Sequence, residues 1–143
     1  MAPIAQFDVW IPNDTEEARE VQERIVGLME QNAWPMRDCF GVRLSLEEAM
    51  VNAIKHGNRM EPGKKVYVAC ELSADEITVV IEDQGNGFDP AEVPDPTDDD
   101  NLDKPGGRGI MLIRSFMDGF AYNSKGNRLT MSKKFGVIKE DDE

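Results

Sequence analysis

The order of segments in this sequence predicts an α/β protein of the α+β kind: a two-layer sandwich with a single mixed, mostly antiparallel sheet and about three helices on one face. Three observations lead to this class. Short segments with alternating apolar residues predict five strands, and segments with apolar residues three or four apart predict three helices. Four of the strands form two pairs with short connections, as in hairpins. A doubly wound parallel sheet would need a helix between successive strands throughout, and that pattern is absent.

The first strand and the first helix are predicted near the N-terminus. Residues Ile4 to Ile11 alternate between apolar and polar side chains and end at Pro12, which favours a strand. Asn13, followed by Glu16 three residues later, is typical of a helix N-cap. That helix extends to about Asn32, and its predicted buried stripe comprises Ala18, Val21, Ile25, Leu28 and Met29.

The second predicted helix, from about Met36 to His56, has one apolar face and one polar face. At about 100° per residue, the apolar face contains Cys39, Val42, Leu46, Ala49, Met50 and Ala53. The polar face contains Glu48, Asn52, Lys55 and His56, and Gly57 then ends the helix. Any surface helix has an exposed polar face, so this pattern gains meaning only together with the glycine-rich segments that follow it.

Two strands and two glycine-rich segments follow the second helix. The strands, Lys65–Leu72 and Glu76–Glu82, have a three-residue connection that favours a hairpin. The segment from Asp83 to Phe88 is the first glycine-rich segment, and residues 89–105 are rich in proline and aspartate, which predicts a loop. Gly106-Gly107-Arg108-Gly109 then opens a third predicted helix that ends near Met117.

The remaining residues predict the end of a single domain. Residues 120–123 and 129–135 have the pattern of a final hairpin. We therefore expect residues 1–137 to form one domain, followed by an acidic tail at 138–143.

Composition and charge restrict the classes of function. With 143 residues, 40% of them hydrophobic, the chain is long enough to form an apolar core. No apolar run reaches the ~20 residues that span a membrane, and residues 1–7 lack the basic and apolar regions of a signal peptide. Cys39 and Cys70 lie in apolar patterns, which favours buried thiols and a cytoplasmic protein. The net charge of −12 argues against direct binding to nucleic acid, although a local glycine-rich segment can still bind a nucleotide.

The two glycine-rich segments are candidates for binding a nucleotide. Asp83, at a strand end, can accept a hydrogen bond from an exocyclic amine, and Gly85 and Gly87 allow the backbone to approach a ligand. The segment Gly106 to Gly109 opens a helix, where backbone N–H groups attract anions and Arg108 adds a charged donor. A simple glycine turn at the first segment and a flexible hinge at the second remain alternatives. Neither segment matches the P-loop or the dinucleotide-binding pattern.

The polar face of the second helix offers groups that suit a nucleotide bound with a metal ion. The amide oxygen of Asn52 is a ligand type that Mg²⁺ accepts. Glu48, one turn earlier, can accept a proton from an attacking hydroxyl or water, although a solvated helix carboxylate is the more common role for such a residue taken alone. His56 is more typical of a residue at a helix C-terminus than of a catalytic base.

These motifs in this order resemble those of the GHKL ATP-binding family. Glu48 to Gly57 is similar to the family's N box, Asp83 to Phe88 to its G1 box, and Gly106 to Met111 to its G2 box. Within the family, the chain is similar to the short anti-sigma-factor serine kinases of the RsbW and SpoIIAB type. The resemblance covers about Asn13 to Lys134 and implies the GHKL, or Bergerat, fold.

The resemblance also implies roles for individual residues. Glu48 would be the base that activates a serine hydroxyl, and Asn52 would ligate Mg²⁺. Asp83 would bind the adenine amino group, and Gly87 would border the base. Gly107 and Gly109, with Arg108 between them, would lie at the phosphates of ATP. Gly85 and Gly106 would be further ATP-binding residues of the same two segments.

One implied contact departs from the family pattern. The last family motif usually has Gly-Thr before the final strand, whereas this chain has Gly126-Asn127. Either Asn127 or the later Thr130 would then make the contact on the adenine side.

The implied activity is that of an ATP-dependent serine-protein kinase and anti-sigma factor. Its substrate would be an antagonist with a STAS domain, its second partner a sigma factor or response protein, and it would form a homodimer as relatives commonly do. The chain lacks the helical hairpin and spare histidine of a histidine kinase. The alternative is a nucleotide-gated binding module that sequesters a partner without phosphorylating it.

Overall fold

The computed structural model describes residues 3–85 and 107–136 of the chain. Within them a sheet contains the strands β1 (Ala5–Pro12), β2 (Lys65–Leu72), β3 (Glu76–Asp83), β4 (Gly119–Tyr122) and β5 (Arg128–Lys134). The helices in these ranges are α1 (Thr15–Gln31), α2 (Met36–Val51) and α3 (Gly107–Phe116), with one π-helical turn directly after α2 (Asn52–Gly57).

The sheet confirms the predicted fold class. Its spatial order is β1-β2-β3-β5-β4, and each neighbouring pair is antiparallel. One face of the sheet packs against the helices and is apolar, because side chains alternate between the two faces along each strand. The buried residues on this face include Val66, Val68, Cys70, Leu72, Ile77, Val79, Ile81, Leu129 and Met131. None of the helices in the described ranges has the length and apolarity that a membrane span requires.

The start of α1 differs from the prediction by one residue. The N-cap is Asp14, whose carboxylate accepts a hydrogen bond from the backbone N–H of Glu16 at 2.8 Å. Asn13 was the wrong choice, because two adjacent short polar residues both suit a cap and the pattern cannot separate them. The Asn13 side chain instead donates to the carbonyl oxygen of Glu61 at 3.2 Å.

In the buried stripe of α1, Val26 lies in the core, whereas Leu28 is only half-buried.

The predicted α-helix to His56 is wrong in its last turn. From Asn52 the chain follows a π-helical turn, and the N–H of Asn58 donates to the carbonyl oxygen of Ala53 at 2.8 Å. Arg59 and Met60 then adopt positive φ angles of 53° and 57°, which reverse the chain direction within two residues. Single π-helical turns of this kind are frequent at functional sites.

Both cysteines are buried, as predicted. Cys39 is 7% exposed and Cys70 is 3% exposed, and neither forms a disulfide. Burial raises the pKa of the Cys70 thiol to about 12, so this thiol stays protonated at neutral pH. The two side chains therefore act as apolar groups of the core.

Candidate nucleotide-binding site

The end of the π-helical turn packs directly against the end of β3. A Cβ atom on Gly57 would lie 2.3 Å from Cγ of Asp83, and one on Gly85 would lie 1.9 Å from the carbonyl oxygen of Gly57. Neither distance is possible for a side-chain carbon, so these glycines are required for close approach rather than for an unusual φ angle. The three residues therefore form one compact unit at the edge of the helical layer.

Asp83 presents an open hydrogen-bond acceptor within this unit. Its side chain is buried, and Oδ1 accepts a hydrogen bond from the N–H of Gly85 at 2.8 Å. Among the described side chains and backbone groups, none donates a hydrogen bond to its Oδ2. Burial raises the pKa of the carboxyl group, and the Gly85 hydrogen bond offsets only part of that rise. A ligand with a donor group can therefore form a hydrogen bond with Oδ2.

Asn127 holds Asp83 in place from the β5 side. Its Nδ2 donates to the backbone carbonyl oxygen of Asp83 at 3.0 Å, and the N–H of Asp83 donates to the carbonyl oxygen of Asn127 at 2.9 Å. Its Oδ1 accepts from Nδ2 of Asn123 at 2.9 Å. The structure thus brings Asn127 to the site, but its carboxamide bonds protein groups at both ends instead of facing a ligand.

Thr130, the alternative to Asn127, does not lie at the site. It is exposed and pairs with Val80 on the face of the sheet that the helices leave uncovered. Asp83 lies in the alternating series of β3 residues that point toward the helices. Because strand side chains alternate in direction, Thr130 points to the opposite side of the sheet.

Asn58 holds the same strand end from the other side and was missed in the sequence. It is 0% exposed, and its Oδ1 accepts a hydrogen bond from the N–H of Gln84 at 2.7 Å. Its Nδ2 donates to the carbonyl oxygen of Lys65 at 3.0 Å. In the sequence, His56-Gly57-Asn58 indicates only a helix end, because nothing local shows that the chain folds back onto β3.

Glu48 lies in the last turn of α2, and Asn52 follows four residues later as the first residue of the π-helical turn. Both side chains are half-buried, and no hydrogen bond joins either of them to another side chain or backbone group in the described ranges. Residues four apart on a helix are neighbours on its surface, with Cβ atoms roughly 5–6 Å apart. A carboxylate and a carboxamide are therefore available side by side, while Lys55 and His56 are exposed.

The second glycine-rich segment is described in part. Gly107, Arg108 and Gly109 form the first turn of α3, where backbone N–H groups lack helical acceptors. Gly87 and Gly106 lie outside the described residues, as do the predicted loop at 89–105 and the predicted tail.

Tyr122 is a further aromatic residue near the site that the sequence did not single out. Burial raises the pKa of its phenol to about 12, and the negative charge of Asp83 adds to this rise. The phenol therefore stays protonated at neutral pH and lies within electrostatic range of Asp83. Its ring also meets the ring of Phe120, with centroids 5.6 Å apart.

The raised pKa of Asp83 predicts that the carboxylate lowers stability at neutral pH. The folded protein binds the proton of this group more tightly than the unfolded chain, whose carboxyl has the ordinary value of 3.8. The contribution of this group to stability is therefore largest below that value and declines as pH rises through the raised pKa. We expect Asp83→Asn to be more stable than the wild type at pH 7, by a margin that shrinks toward pH 4. Urea unfolding of both proteins at the two pH values measures this difference, and a margin independent of pH would contradict it.

The chain is similar to known proteins over most of its length. Residues 11–133 match the histidine kinase-like ATPase domain. The chain is 36% identical over 110 residues to an anti-sigma F factor of Oceanobacillus iheyensis, covering 73% of this chain and 75% of that protein. It is 32% identical over 103 residues to an anti-sigma F factor of Clostridium botulinum, covering 68% of this chain and 71% of that protein. It is also 26% identical over 135 residues to the serine-protein kinase RsbW of Staphylococcus aureus, covering 89% of this chain and 85% of that protein.

The matched region contains each of the sequence-predicted site residues, from Glu48 to Thr130. The sheet with its helical layer agrees with the same assignment. A match over most of the chain, together with relatives above 30% identity, shows that this chain belongs to the histidine kinase-like ATPase family, also called GHKL, and resembles its RsbW and SpoIIAB type.

Proposed function

We propose that this protein is an ATP-dependent serine-protein kinase and anti-sigma factor of a partner-switching system. The observation that carries the proposal is the open acceptor at Asp83 Oδ2, in a strand end held by Asn58 and Asn127. Membership of an ATPase family whose relatives are named anti-sigma F factor and serine-protein kinase supports it.

ATP fits the groups available at the site. The exocyclic amine of adenine is a donor that matches the free oxygen of Asp83, and the N-terminal turn of α3 offers N–H groups suited to phosphates. Asn52, with a carboxamide that no described residue engages, is the residue that would hold Mg²⁺. When bound, Mg²⁺ supplies positive charge that offsets the charge of the phosphates.

Glu48 is the residue that we assign to the transfer step. Its carboxylate accepts the hydroxyl proton of the substrate serine while the serine oxygen forms a bond to the γ-phosphorus of ATP. The bond from that phosphorus to the bridging oxygen breaks, and ADP is the leaving group. Because no described residue bonds Glu48, the carboxylate is free to orient the hydroxyl. Most of the rate increase comes from positioning and from charge stabilisation.

The name of the anti-sigma relatives supports a sigma factor as one proposed partner. An anti-sigma factor binds a sigma factor, and we propose an antagonist with a STAS domain as the protein that is phosphorylated on serine. We further propose that the protein acts in the cytoplasm as a homodimer.

A phosphate-transfer experiment tests the proposal. The full chain is incubated with Mg²⁺, ATP labelled at the γ-phosphate and a candidate STAS-domain protein. We expect label on serine of the candidate protein and a rise in melting temperature of the chain when ATP is added. ATP binding without transfer would instead support the nucleotide-gated binding module. If neither ATP nor ADP changes the melting temperature, the proposed function is wrong.

A further inference from the structure

We propose that Asn58 is a positioning residue for base recognition, which sets how strongly the protein prefers a nucleotide with an exocyclic amine. This inference rests on the proposed function, because it concerns the same nucleotide site. It adds a buried residue that does not touch the nucleotide and acts through Asp83.

The contacts of Asn58 connect three segments that are distant in the sequence. Its Nδ2 donates to the carbonyl oxygen of Lys65 at 3.0 Å, at the start of β2, and to Oδ1 of Asn13 at 3.3 Å, before α1. Its Oδ1 accepts from the N–H of Gln84 at 2.7 Å, directly after β3. The side chain of Gln84 in turn accepts a hydrogen bond from the N–H of Lys65 at 2.7 Å. A carboxamide that is 0% exposed thus fixes where the chain leaves β3.

The peptide group between Asp83 and Gln84 is held at both of its polar atoms. Its N–H donates to Asn58 at 2.7 Å, and its carbonyl oxygen accepts from Asn127 at 3.0 Å. A peptide group is planar, so fixing both atoms fixes the rotation of that plane about the Cα atom of Asp83. The direction of the Asp83 side chain follows from this rotation. The carboxamides of Asn58 and Asn127, on opposite sides of this peptide group, therefore fix the direction of the Asp83 carboxylate.

The aim of the carboxylate determines selectivity because hydrogen bonds weaken steeply when they are bent. With Asn58 present, Oδ2 points in one direction and favours a base that places a donor there. Without Asn58, the peptide plane gains freedom on one side, and the carboxylate no longer meets the donor at a fixed angle. Affinity for ATP then falls, whereas affinity for a base without an amine changes little.

The experiment compares two nucleotides on the full chain by calorimetry: ATP and purine riboside triphosphate, which lacks the 6-amino group. We expect the wild type to prefer ATP by roughly tenfold or more, because only ATP offers a donor for the hydrogen bond to the charged carboxylate. In Asn58→Ala we expect the preference to fall to less than about a third of the wild-type ratio. Asn32→Ala is the matched control, because that carboxamide is half-buried and bonds only the carbonyl oxygen of Leu28 at 2.8 Å, at the end of α1.

A merely structural role would lower the melting temperature without changing the ratio of the two affinities. Asn58→Ser is the second variant. The serine side chain is shorter than that of asparagine and does not reach the N–H of Gln84, but its hydroxyl keeps a polar group in the buried space. The titrations contain trimethylamine oxide, which favours the compact state, and the folded fraction is measured by circular dichroism.

The outcomes separate this inference from the proposed function. No binding of ATP to the wild type would overturn the proposed function itself. Equal binding of both nucleotides to the wild type would overturn base recognition by Asp83, and this inference with it. A wild-type preference that persists in folded Asn58→Ala or Asn58→Ser would overturn the role of Asn58 alone. Loss of the preference in these variants, with the Asn32→Ala ratio unchanged, is the expected result.

Discussion

Replacing Glu48 with glutamine is expected to slow transfer of phosphate to serine by roughly a hundredfold to ten-thousandfold, the range usual for a general base. The substitution keeps the size of the side chain and removes its ability to accept the serine proton. Affinity for ATP should stay nearly unchanged, because Glu48 is assigned to the hydroxyl rather than to the nucleotide. Single-turnover transfer from labelled ATP, together with calorimetric titration of ATP, measures the two effects separately.

Glu47→Gln is the matched control for this prediction. Glu47 is adjacent to Glu48 in α2 but is exposed, whereas Glu48 is half-buried. Both substitutions remove one negative charge from the same helical turn, so a general electrostatic effect would appear in both proteins. Transfer that survives in Glu48→Gln, or that falls equally in both variants, would remove Glu48 from the mechanism.

A methyl group on Gly85 is expected to damage both the fold and the nucleotide site. The added Cβ would lie 1.9 Å from the carbonyl oxygen of Gly57, which belongs to the backbone and cannot rotate away. We expect Gly85→Ala to lower the free energy of unfolding by about 3 kcal/mol, at the upper end of the usual cost of overpacking. The end of the π-helical turn must also move away from Asp83, so ATP affinity should fall beyond detection in calorimetry.

Gly27→Ala is the control for the loss of a glycine. Gly27 lies within α1, and a Cβ added there would meet nothing within 4 Å. Since alanine favours a helix more than glycine does, this variant should gain about 0.5–1 kcal/mol in urea unfolding and keep its ATP affinity. If Gly85→Ala were as stable as Gly27→Ala and still bound ATP, the close packing of the π-helical turn on β3 would be wrong.

The elements of the fold were predictable because each has a local signature. The bounds of β2 agree with the prediction at both ends, and those of the other strands differ by one residue at one or both ends. Alternation and hairpin connections carry this information directly in the sequence. The N-cap at Asp14 was missed by one residue, since Asn13 suits the same local pattern.

The candidate site was less predictable, because its supporting contacts join residues that are distant in the sequence. Asp83 and Gly85 were identified from a short motif, but their close contact with Gly57 depends on the π-helical turn. The hydrogen bond from Gln84 to Asn58 spans 26 residues, and that from Asn127 to Asp83 spans 44. Periodicity and motifs contain no information on such pairs.

Thr130 shows the same limit from the opposite direction. Thr130 lies three residues after Asn127 and was the other candidate for a contact with the base. Because side chains alternate in direction along a strand, the register of β5 decides which face of the sheet this threonine lies on. Thr130 pairs with Val80 and Ala121 on the exposed face of the sheet. Thr130 and Asp83 therefore lie on opposite faces of the sheet because of the pairing register of β3 and β5, which the sequence alone left open.

Calorimetric titration of ATP with Mg²⁺ into the wild type and into Asp83→Asn tests the central claim most directly. In the variant, either the amide nitrogen faces the adenine amine, so that two donors meet, or the hydrogen bond from Gly85 is lost. We predict one saturable site in the wild type and an affinity roughly tenfold or more weaker in a fully folded Asp83→Asn, the loss of a hydrogen bond to a charged group. Equal affinities in the two proteins would contradict the assignment of this site to the nucleotide.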